Sequence, residues 1–257
     1  MWWDRSDLAG VYLSPNRVGL ASVRAGASTW IETRDSEESI ARLAEAFQLP
    51  ALQSCGRIRV WLASALARPL MVSATSGARS RNEAQALAAM LAPDATGFDE
   101  PVRVWANAWR ANRGGLAVVL PEGVWTALNR VVNEERDLRR RARRKDVVRS
   151  LGLVSVRPWW NHAIDAVISD SYRDTSRIGW SLIEGGGVVH GIVDSGDPVE
   201  VGFDMLGPHD EDGSLLRRRL QVNWDVVATS LHLDFAHSGG ISHAPIGGWR
   251  EAGRART

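Results

Sequence analysis

The stretch VYLSPNRVGLASVR, residues 11–24, predicts a β-hairpin, because two apolar runs flank the turn-forming pair Pro15-Asn16. The stretch RIGWSLIEGGGVVHGIVDSGDPVEVGF, residues 177–203, has the same layout, with turns at its three consecutive glycines and at Ser195-Gly196-Asp197. Paired turns are centred near residues 15 and 25 in the first half of the chain and near residues 186 and 196 in the second. Both halves therefore predict three strands joined by turns, then a helix and a strand, although their sequences do not match.

Helix starts stand out between the strands. Asp35 and Ser80 each precede a glutamate by three residues, which is the capping-box pattern of a helix N-terminus. Apolar residues recur at helical spacing after both positions, and Pro93 is expected to end the second helix. A third helix is predicted from Pro121 and a fourth after Pro158.

The apolar runs at residues 58–63 and 116–120 are typical of strands covered on both faces. Strands that alternate with helices predict an α/β protein with helices packed on its sheets. We expect a first subdomain over residues 1–150, which includes an arginine-rich helix, and a second over residues 151–238. The tail over residues 239–257 has little apolar periodicity and is expected to be flexible.

Composition and charge exclude several classes of protein. The 257 residues have a net charge of +1, so bulk electrostatics do not favour binding to polyanions. The single cysteine, Cys55, cannot form an intrachain disulfide, which fits a reducing compartment. The first residues lack the pattern of a signal peptide, and no apolar run approaches the roughly 20 residues of a membrane helix. These features predict a cytoplasmic protein.

Several segments resemble a known family through their order along the chain. They are residues 58–70, a helix that contains Glu83, residues 116–121, residues 154–160 and the second hairpin at residues 180–186. In this order they resemble the pilus-assembly proteins of PilM type and the cytoplasmic domain of the type II secretion protein L. The resemblance extends over roughly residues 8–203. It implies a duplicated ribonuclease-H-like (actin-like) fold, an α/β structure with two mixed sheets flanked by helices.

The resemblance also implies a function and partners. It points to the inner-membrane assembly platform of a type IV pilus or a type II secretion system. There the actin-like protein binds the cytosolic part of a partner and contacts an assembly ATPase. We therefore expect a non-enzymatic adaptor or scaffold without a cofactor, associated with the inner membrane through its partners and possessing no membrane helix of its own.

The first hairpin bears on whether this fold binds ATP. ATP-binding actin-like proteins place Asp-x-Gly in this hairpin, where the carboxylate organises magnesium and the glycine lets backbone N–H groups approach the phosphates. In this chain Tyr12 stands at the aspartate position and Ser14 at the glycine position. Pro15 also removes one N–H group from the loop, and Asn16 follows it. The sequence of this loop therefore predicts that the protein does not bind a nucleotide here.

The second hairpin has diverged in the same way. Ser181-Leu182-Ile183 stands where the motif would be. Gly185, Gly186 and Gly187 follow. Glycine is common in hairpin turns simply because it suits their backbone geometry, so these three glycines do not indicate phosphate binding. The alternative is an actin-like ATP-binding protein whose phosphate loops have diverged.

A cluster of basic residues follows the third predicted helix. Eight lie within fourteen positions: Arg136, Arg139, Arg140, Arg141, Arg143, Arg144, Lys145 and Arg149. Since burying unpaired arginines is costly, we expect a docking surface for an acidic partner or anionic lipid, formed by Arg139, Arg140, Arg143, Arg144 and Lys145. A solvated helix extension is the alternative. Nucleic-acid binding by this segment is a further alternative, disfavoured because no interleaved aromatic residues offer stacking platforms.

No catalytic or metal site is predicted. Tyr12 lies on the strand where ribonuclease-H nucleases need the first of several metal-binding carboxylates. The six histidines include no pair at metal-ligand spacing with a third ligand nearby. A Walker loop and a Gly-x-Ser-x-Gly elbow are both absent. We therefore do not expect an enzyme.

Overall fold

The computed structural model describes residues 8–22, 27–53, 55–106, 109–110, 113–142, 151–161, 164–165, 177–184, 187–194, 196–205 and 228–231. Its strands are β1 Leu8–Ser14, β2 Arg17–Ser22, β3 Ala27–Glu32, β4 Arg57–Leu62, β5 Arg68–Val72, β6 Val102–Trp105, β7 Gly115–Pro121, β8 Gly152–Pro158, β9 Arg177–Glu184, β10 Gly187–Asp194, β11 Asp197–Met205 and β12 Ala228–Leu231. Its helices are α1 Ser36–Ala46, the short α2 Pro50–Gln53, α3 Arg81–Thr96 and α4 Glu122–Ala142.

A five-stranded mixed sheet forms the core of the first half, with the order β3-β2-β1-β4-β8. The strands β1, β2 and β3 are antiparallel neighbours, whereas β1, β4 and β8 run parallel. The predicted hairpin is confirmed, since Ser14 pairs with Arg17 across the Pro15-Asn16 turn. One face of the sheet, with Val11, Leu13 and Val60, belongs to the main apolar core together with residues of α1 and α4.

The helix starts follow the predicted capping chemistry. Asp35 accepts a hydrogen bond from the backbone N–H of Glu38, and Ser80 accepts one from Glu83. Pro93, however, does not end α3, which continues to Thr96. The helix ends at Gly97, whose left-handed φ of 64° lets its N–H group return to the carbonyl of Pro93. Proline disturbs helical hydrogen bonding only in the turn that precedes it, so α3 can continue past Pro93. Gly97 therefore sets the end of the helix.

The third predicted helix begins one residue later than expected, at Glu122, because Pro121 is the last residue of β7. It runs into the arginine-rich segment as far as Ala142. Residues 160–161 and 164–165 are helical, in agreement with the helix predicted after Pro158.

A separate three-stranded antiparallel sheet, ordered β5-β7-β6, departs from the predicted two-sheet arrangement. The buried run at residues 116–120 is the middle strand of this sheet and does not join the five-stranded one. One of its faces packs on α3 through the small side chains of Ala84, Ala88 and Ala92. Because alanine has only a methyl group, the helix lies close to the strands. The sheet and α3 interrupt the chain between β4 and α4 and form what we call the inserted unit, residues 68–121.

The second half contains a four-stranded sheet with the order β11-β10-β9-β12. Its first three strands are antiparallel, and β12 runs parallel to β9. This order and these directions match β3-β2-β1-β4 of the first half. The helix predicted near residues 214–222 and the tail at residues 239–257 lie outside the described residues.

Candidate functional site

Tyr12 is part of a buried aromatic cluster. It pairs in register with Trp61 of β4, and its ring meets Trp30 at 6.0 Å and Trp159 at 6.2 Å, both edge-on. Trp61 and Trp159 complete the cluster at 5.4 Å. Tyr12 is only 2% exposed. A phenol in an apolar cluster cannot organise magnesium as a carboxylate does, and the rings fill this side of the sheet.

The polar groups of the first hairpin loop bond within the protein. Ser14 is fully buried, and its hydroxyl donates to Asn16 Oδ1 at 2.7 Å and accepts from the N–H of Arg17. The carbonyl of Ser14 accepts a hydrogen bond of 2.6 Å from the hydroxyl of Ser39 on α1. Thr33 adds a bond from its side chain to the carbonyl of Pro15. The loop is thus tied to the start of α1.

The second hairpin contributes a closely packed glycine, Gly187. A Cβ atom at Gly187 would lie 2.5 Å from the ring of Phe203 and 3.3 Å from the hydroxyl of Ser64. A side chain at this position would displace the ring of Phe203 on the neighbouring strand and crowd the hydroxyl of Ser64 in the turn after β4. Gly185 and Gly186 lie outside the described residues.

A groove opens at the border between the five-stranded sheet and the inserted unit. Its volume is about 570 Å³, within the range of sites that hold ligands. The groove is lined by Leu62, Arg81, Trp105, Val118, Leu120, Trp125, Val156, Arg157, Pro158 and Asn161. The apolar floor comes from β4 and β7, and the two tryptophans stand on one wall.

The tryptophan wall is held by ionic and aromatic contacts. Arg103 makes two hydrogen bonds to the carboxylate of Glu122, at 2.8 and 2.6 Å, and its guanidinium lies 5.4 Å from the ring of Trp125. Trp125 meets Trp105 edge-on at 5.3 Å. Such a bidentate pair fixes the guanidinium plane, so both rings keep a defined orientation beside the groove.

The opposite wall is the outer edge of β8, the last strand of its sheet among those described. Trp159 donates its backbone N–H to the carbonyl of Leu62, towards β4. Residues of a parallel strand turn their backbone groups alternately to the two sides. Val156 and the carbonyl of Pro158 therefore face the groove, where a further strand could pair with them.

Charged side chains of β4 and β8 lie close together next to the groove. Arg157 on β8 and Arg59 on β4 lie near one another, and Arg57 is close to Arg59. Burial lowers the pKa of Arg59, and the charges of Arg157 and Arg57 lower it further. Asp165 is an acidic residue close to Arg157. Burial raises the pKa of its carboxyl, and the positive charge of Arg157 partly offsets this by lowering it.

The predicted docking residue Arg139 was wrongly placed at the surface. It is 4% exposed and bonds Glu135 at 2.6 Å, the carbonyl of Cys55 at 2.7 Å and that of Leu52 at 3.1 Å. The cost of burying its charge is offset because one carboxylate and two carbonyls satisfy the guanidinium. Arg139 thus joins α4 to the segment that leads into β4.

Arg140, the next residue, points to solvent with its side chain 64% exposed, 3.8 Å from Asp137. Arg143, Arg144 and Lys145 lie outside the described residues.

Histidine and carboxylate groups form no evident metal site in the described part of the chain, where no three potential ligands come together. His190 Nε2 lies 3.0 Å from Asp204 Oδ2 across two neighbouring strands of the second sheet. The other five histidines lie outside the described residues.

Sequence reasoning missed the groove, including Trp105 and Trp125. The only signal was the unusual number of tryptophans, twelve in 257 residues. Tryptophan most often fills cores, so composition does not single out two that are partly buried beside a surface groove.

Comparisons with known proteins identify the fold. No protein-family model and no curated protein matches the sequence. A chain of the PilM–PilN type IV pilus biogenesis complex superposes over 92% of this chain and 83% of its own, with a TM-score of 0.58 and 10% identity. A Bacteroides thetaiotaomicron protein of actin-like ATPase fold and unknown function superposes over 89% and 82%, with a TM-score of 0.56 and 13% identity. The chain has an actin-like fold.

The mixed sheets with flanking helices agree with the fold implied by the resemblance. At these identities the likeness concerns the fold alone. Of the helices described, none combines the length and the apolar character needed to cross a membrane.

Proposed function

We propose that this actin-like protein is a non-enzymatic adaptor that holds an extended segment of a partner protein in the groove beside β8. The observation that carries the proposal is the edge of β8, the last strand of its sheet among those described, facing an apolar floor and two partly buried tryptophans. Strand addition to a sheet edge gives affinity through main-chain hydrogen bonds, and side-chain pockets give specificity. Trp105 and Trp125 are the residue type that most often dominates binding energy at interfaces.

The partner belongs, in this proposal, to the inner-membrane platform of a type IV pilus or a type II secretion system. Support comes from the fold shared with the PilM–PilN complex and from the order of sequence motifs described above. The protein would work in the cytoplasm and reach the inner membrane through its partner. An assembly ATPase is the expected second contact.

The absence of enzymatic activity is also a proposal. It is supported by the buried position of Tyr12 and by the internal bonding of the Ser14 loop. The alternative, an ATP-binding protein with diverged loops, is favoured by the fold shared with the protein of actin-like ATPase fold. Nucleotide binding distinguishes the two, and its test is described in the Discussion.

A duplicated architecture is the structural part of the proposal. The matching strand orders of the two sheets support it. A duplication requires a helix between β11 and β12, as α1 lies between β3 and β4, and the sequence predicts it at residues 214–222. Helical backbone chemical shifts there would agree with a duplication, and extended shifts throughout residues 206–227 would contradict it.

Site-specific crosslinking tests the adaptor function. A photoreactive phenylalanine at Asn161, inside the groove, should capture an inner-membrane pilus or secretion protein through its cytosolic segment. The same residue at Gln85, on the exposed side of α3, is the matched control. Capture only at position 161, mapped to such a segment, supports the proposal. No capture at position 161, or equal capture at both positions, overturns it.

A further inference from the structure

We infer that the outward face of α3 is a contact between two copies of this chain, in which the two α3 helices pack antiparallel. The inference goes beyond the proposed function, because it concerns a different surface and a different partner from those of the groove. Two observations carry it: the apolar character of this face, and the opposite charges at the two ends of the helix.

Helix α3 has an apolar stripe on each of two opposite sides. The inward stripe, made of alanines, packs on the three-stranded sheet. The outward stripe recurs at i, i+3, i+4 and i+7 and consists of Ala86, Ala89, Met90 and Pro93, all exposed. Met90 is 77% exposed, more than any other large apolar residue among those described. Because a helix that is apolar on all sides is normally buried on all sides, the outward stripe predicts a partner surface.

The exposed side of α4 shows the usual alternative for a helix side that faces water. There the exposed residues include Arg130, Glu134, Asp137 and Arg141, so charge covers this side. On α3 the corresponding positions are apolar and mostly small. Small side chains let two helix axes approach to the lower part of the usual range of about 8–10 Å. The outward stripe therefore suits another helix.

The order of residues in the outward stripe is symmetric about the point between Ala89 and Met90. In an antiparallel pair centred there, Ala89 of one copy comes opposite Met90 of the other, and Ala86 comes opposite Pro93. Each copy thus contributes the same surface. Such a contact closes on itself as a two-fold dimer and does not extend into a filament.

The C-terminal end of α3 is acidic. Asp94, Asp99 and Glu100 are exposed there, and the last turn of the helix contains no basic residue. Arg68 lies behind this end, but its guanidinium donates to the carbonyl of Thr96 and stacks on an aromatic ring. The three carboxylates therefore give the exposed surface at this end a negative charge.

The N-terminal end of α3 has a net positive charge. Arg79 and Arg81 lie there together with one acid, Glu83, whose carboxylate accepts a hydrogen bond from the backbone N–H of Arg79. Arg81 is held on the groove side by its bond to the carbonyl of Ala106. The guanidinium of Arg79 is exposed and forms no ion pair with any described residue.

These charges select the antiparallel arrangement. In the pair centred between Ala89 and Met90, Arg79 of each copy comes opposite Asp99 and Glu100 of the other. A parallel pair would instead place arginine against arginine and acid against acid, which is unfavourable.

The expected dimer is weak, because one pair of helices buries less than a standard interface of roughly 1,600 Å². None of the four residues of the outward stripe lines the groove, so a dimer would present two free grooves. Two linked sites raise the effective concentration for a partner that offers two segments. The dimer would therefore strengthen binding to paired partners without any new contact in the groove.

Sedimentation velocity of the full chain tests the inference. The wild type should shift from monomer towards dimer as its concentration rises to about 1 mM. Met90→Glu should remain monomeric, because it places two carboxylates close to the two-fold axis. Met205→Glu is the matched control, since it makes the same change at another methionine, 58% exposed on β11, and should dimerise as the wild type does. Circular dichroism checks that both variants fold.

Charge reversal tests the direction of packing. Arg79→Glu makes both ends of α3 acidic, and the double variant Asp99→Lys with Glu100→Lys adds positive charge to the acidic end. Each variant alone should self-associate about tenfold more weakly than the wild type, because like charges then meet. An equimolar mixture of the two should form a heterodimer of restored affinity, since opposite charges meet again at both ends. Added salt should weaken the wild-type dimer.

The contrary outcomes are equally definite. A wild type that stays monomeric throughout overturns the inference and leaves the outward face of α3 to a different protein. Equal dimerisation of Met90→Glu and Met205→Glu places the contact elsewhere and also overturns it. A mixture of the charge-reversed variants that associates no better than either alone rules out the antiparallel pair. The adaptor function is judged separately, by the crosslink at position 161.

Discussion

At the scale of single residues, Arg139 connects three segments of the first half. Its guanidinium bonds Glu135 on α4, the carbonyl of Leu52 in α2 and the carbonyl of Cys55, two residues before β4. We expect Arg139→Gln to lower the free energy of unfolding by about 3–5 kcal/mol, because Glu135 would remain buried with less compensation. Chemical denaturation measures the change. Arg140→Gln is the matched control and should stay within about 0.5 kcal/mol of the wild type. Equal effects of the two substitutions would contradict the buried pairing.

Tyr12 is the second residue with a direct consequence for function. Its ring is part of the aromatic cluster, at the position where an ATP-binding actin-like protein has a carboxylate. Calorimetry with Mg-ATP should therefore detect no binding at micromolar protein concentration. Binding that is clear in the wild type and lost on Ser14→Ala or Gly186→Ala would favour the alternative of an ATP-binding protein with diverged loops.

At the scale of elements, the exposed end of α4 remains a candidate docking surface once Arg139 is excluded. Arg140 is exposed, so the triple variant Arg140→Gln, Arg143→Gln and Arg144→Gln should unfold at nearly the same temperature as the wild type. It should co-sediment less with vesicles that contain anionic lipid, because each basic residue near such a surface contributes about 1 kcal/mol. The corresponding triple lysine variant keeps the charge and should bind as the wild type does. If the glutamine variant binds equally well, the segment is only a solvated helix end.

At the scale of the whole molecule, the inserted unit contacts the second sheet, and two of the contacts between described residues involve arginine side chains. The guanidinium of Arg68 lies between Phe98 of the inserted unit and Phe203 of β11, 4.0 and 4.6 Å from the two ring centres. Arg113 binds Asp197 at 2.7 Å, with both side chains well exposed. The inserted unit thus spans the two halves, from the groove on one side to β11 on the other.

These two contacts should differ in energy. We expect Arg68→Lys to lower the free energy of unfolding by about 1–2 kcal/mol, because lysine keeps the charge but loses the flat stacking of guanidinium on two rings. Arg113→Gln should cost less than about 1 kcal/mol, since exposed ion pairs are weak. Hydrogen exchange of the β11 amides should accelerate in the lysine variant and change little in the glutamine variant. The reverse order would mean that the ion pair is the principal connection.

The sequence by itself determined the features that depend on neighbouring residues. The Pro15-Asn16 turn, the caps at Asp35 and Ser80, and the strand at residues 116–120 were all predictable. Turn and cap preferences arise from the backbone geometry of a few consecutive residues, so they survive in almost any tertiary context. The replacement of the carboxylate by Tyr12 was likewise visible in the sequence.

Only the tertiary structure decided the position of Arg139, the sheet to which β7 belongs, and the groove. Arg139 and Arg140 look alike in sequence, but the carbonyls that receive Arg139 lie more than eighty positions away. Residues from Leu62 to Asn161 meet in the groove because β8 pairs with β4 while the inserted unit, residues 68–121, folds separately between them. Burial and cavity shape depend on which distant surfaces meet, and no local preference encodes that.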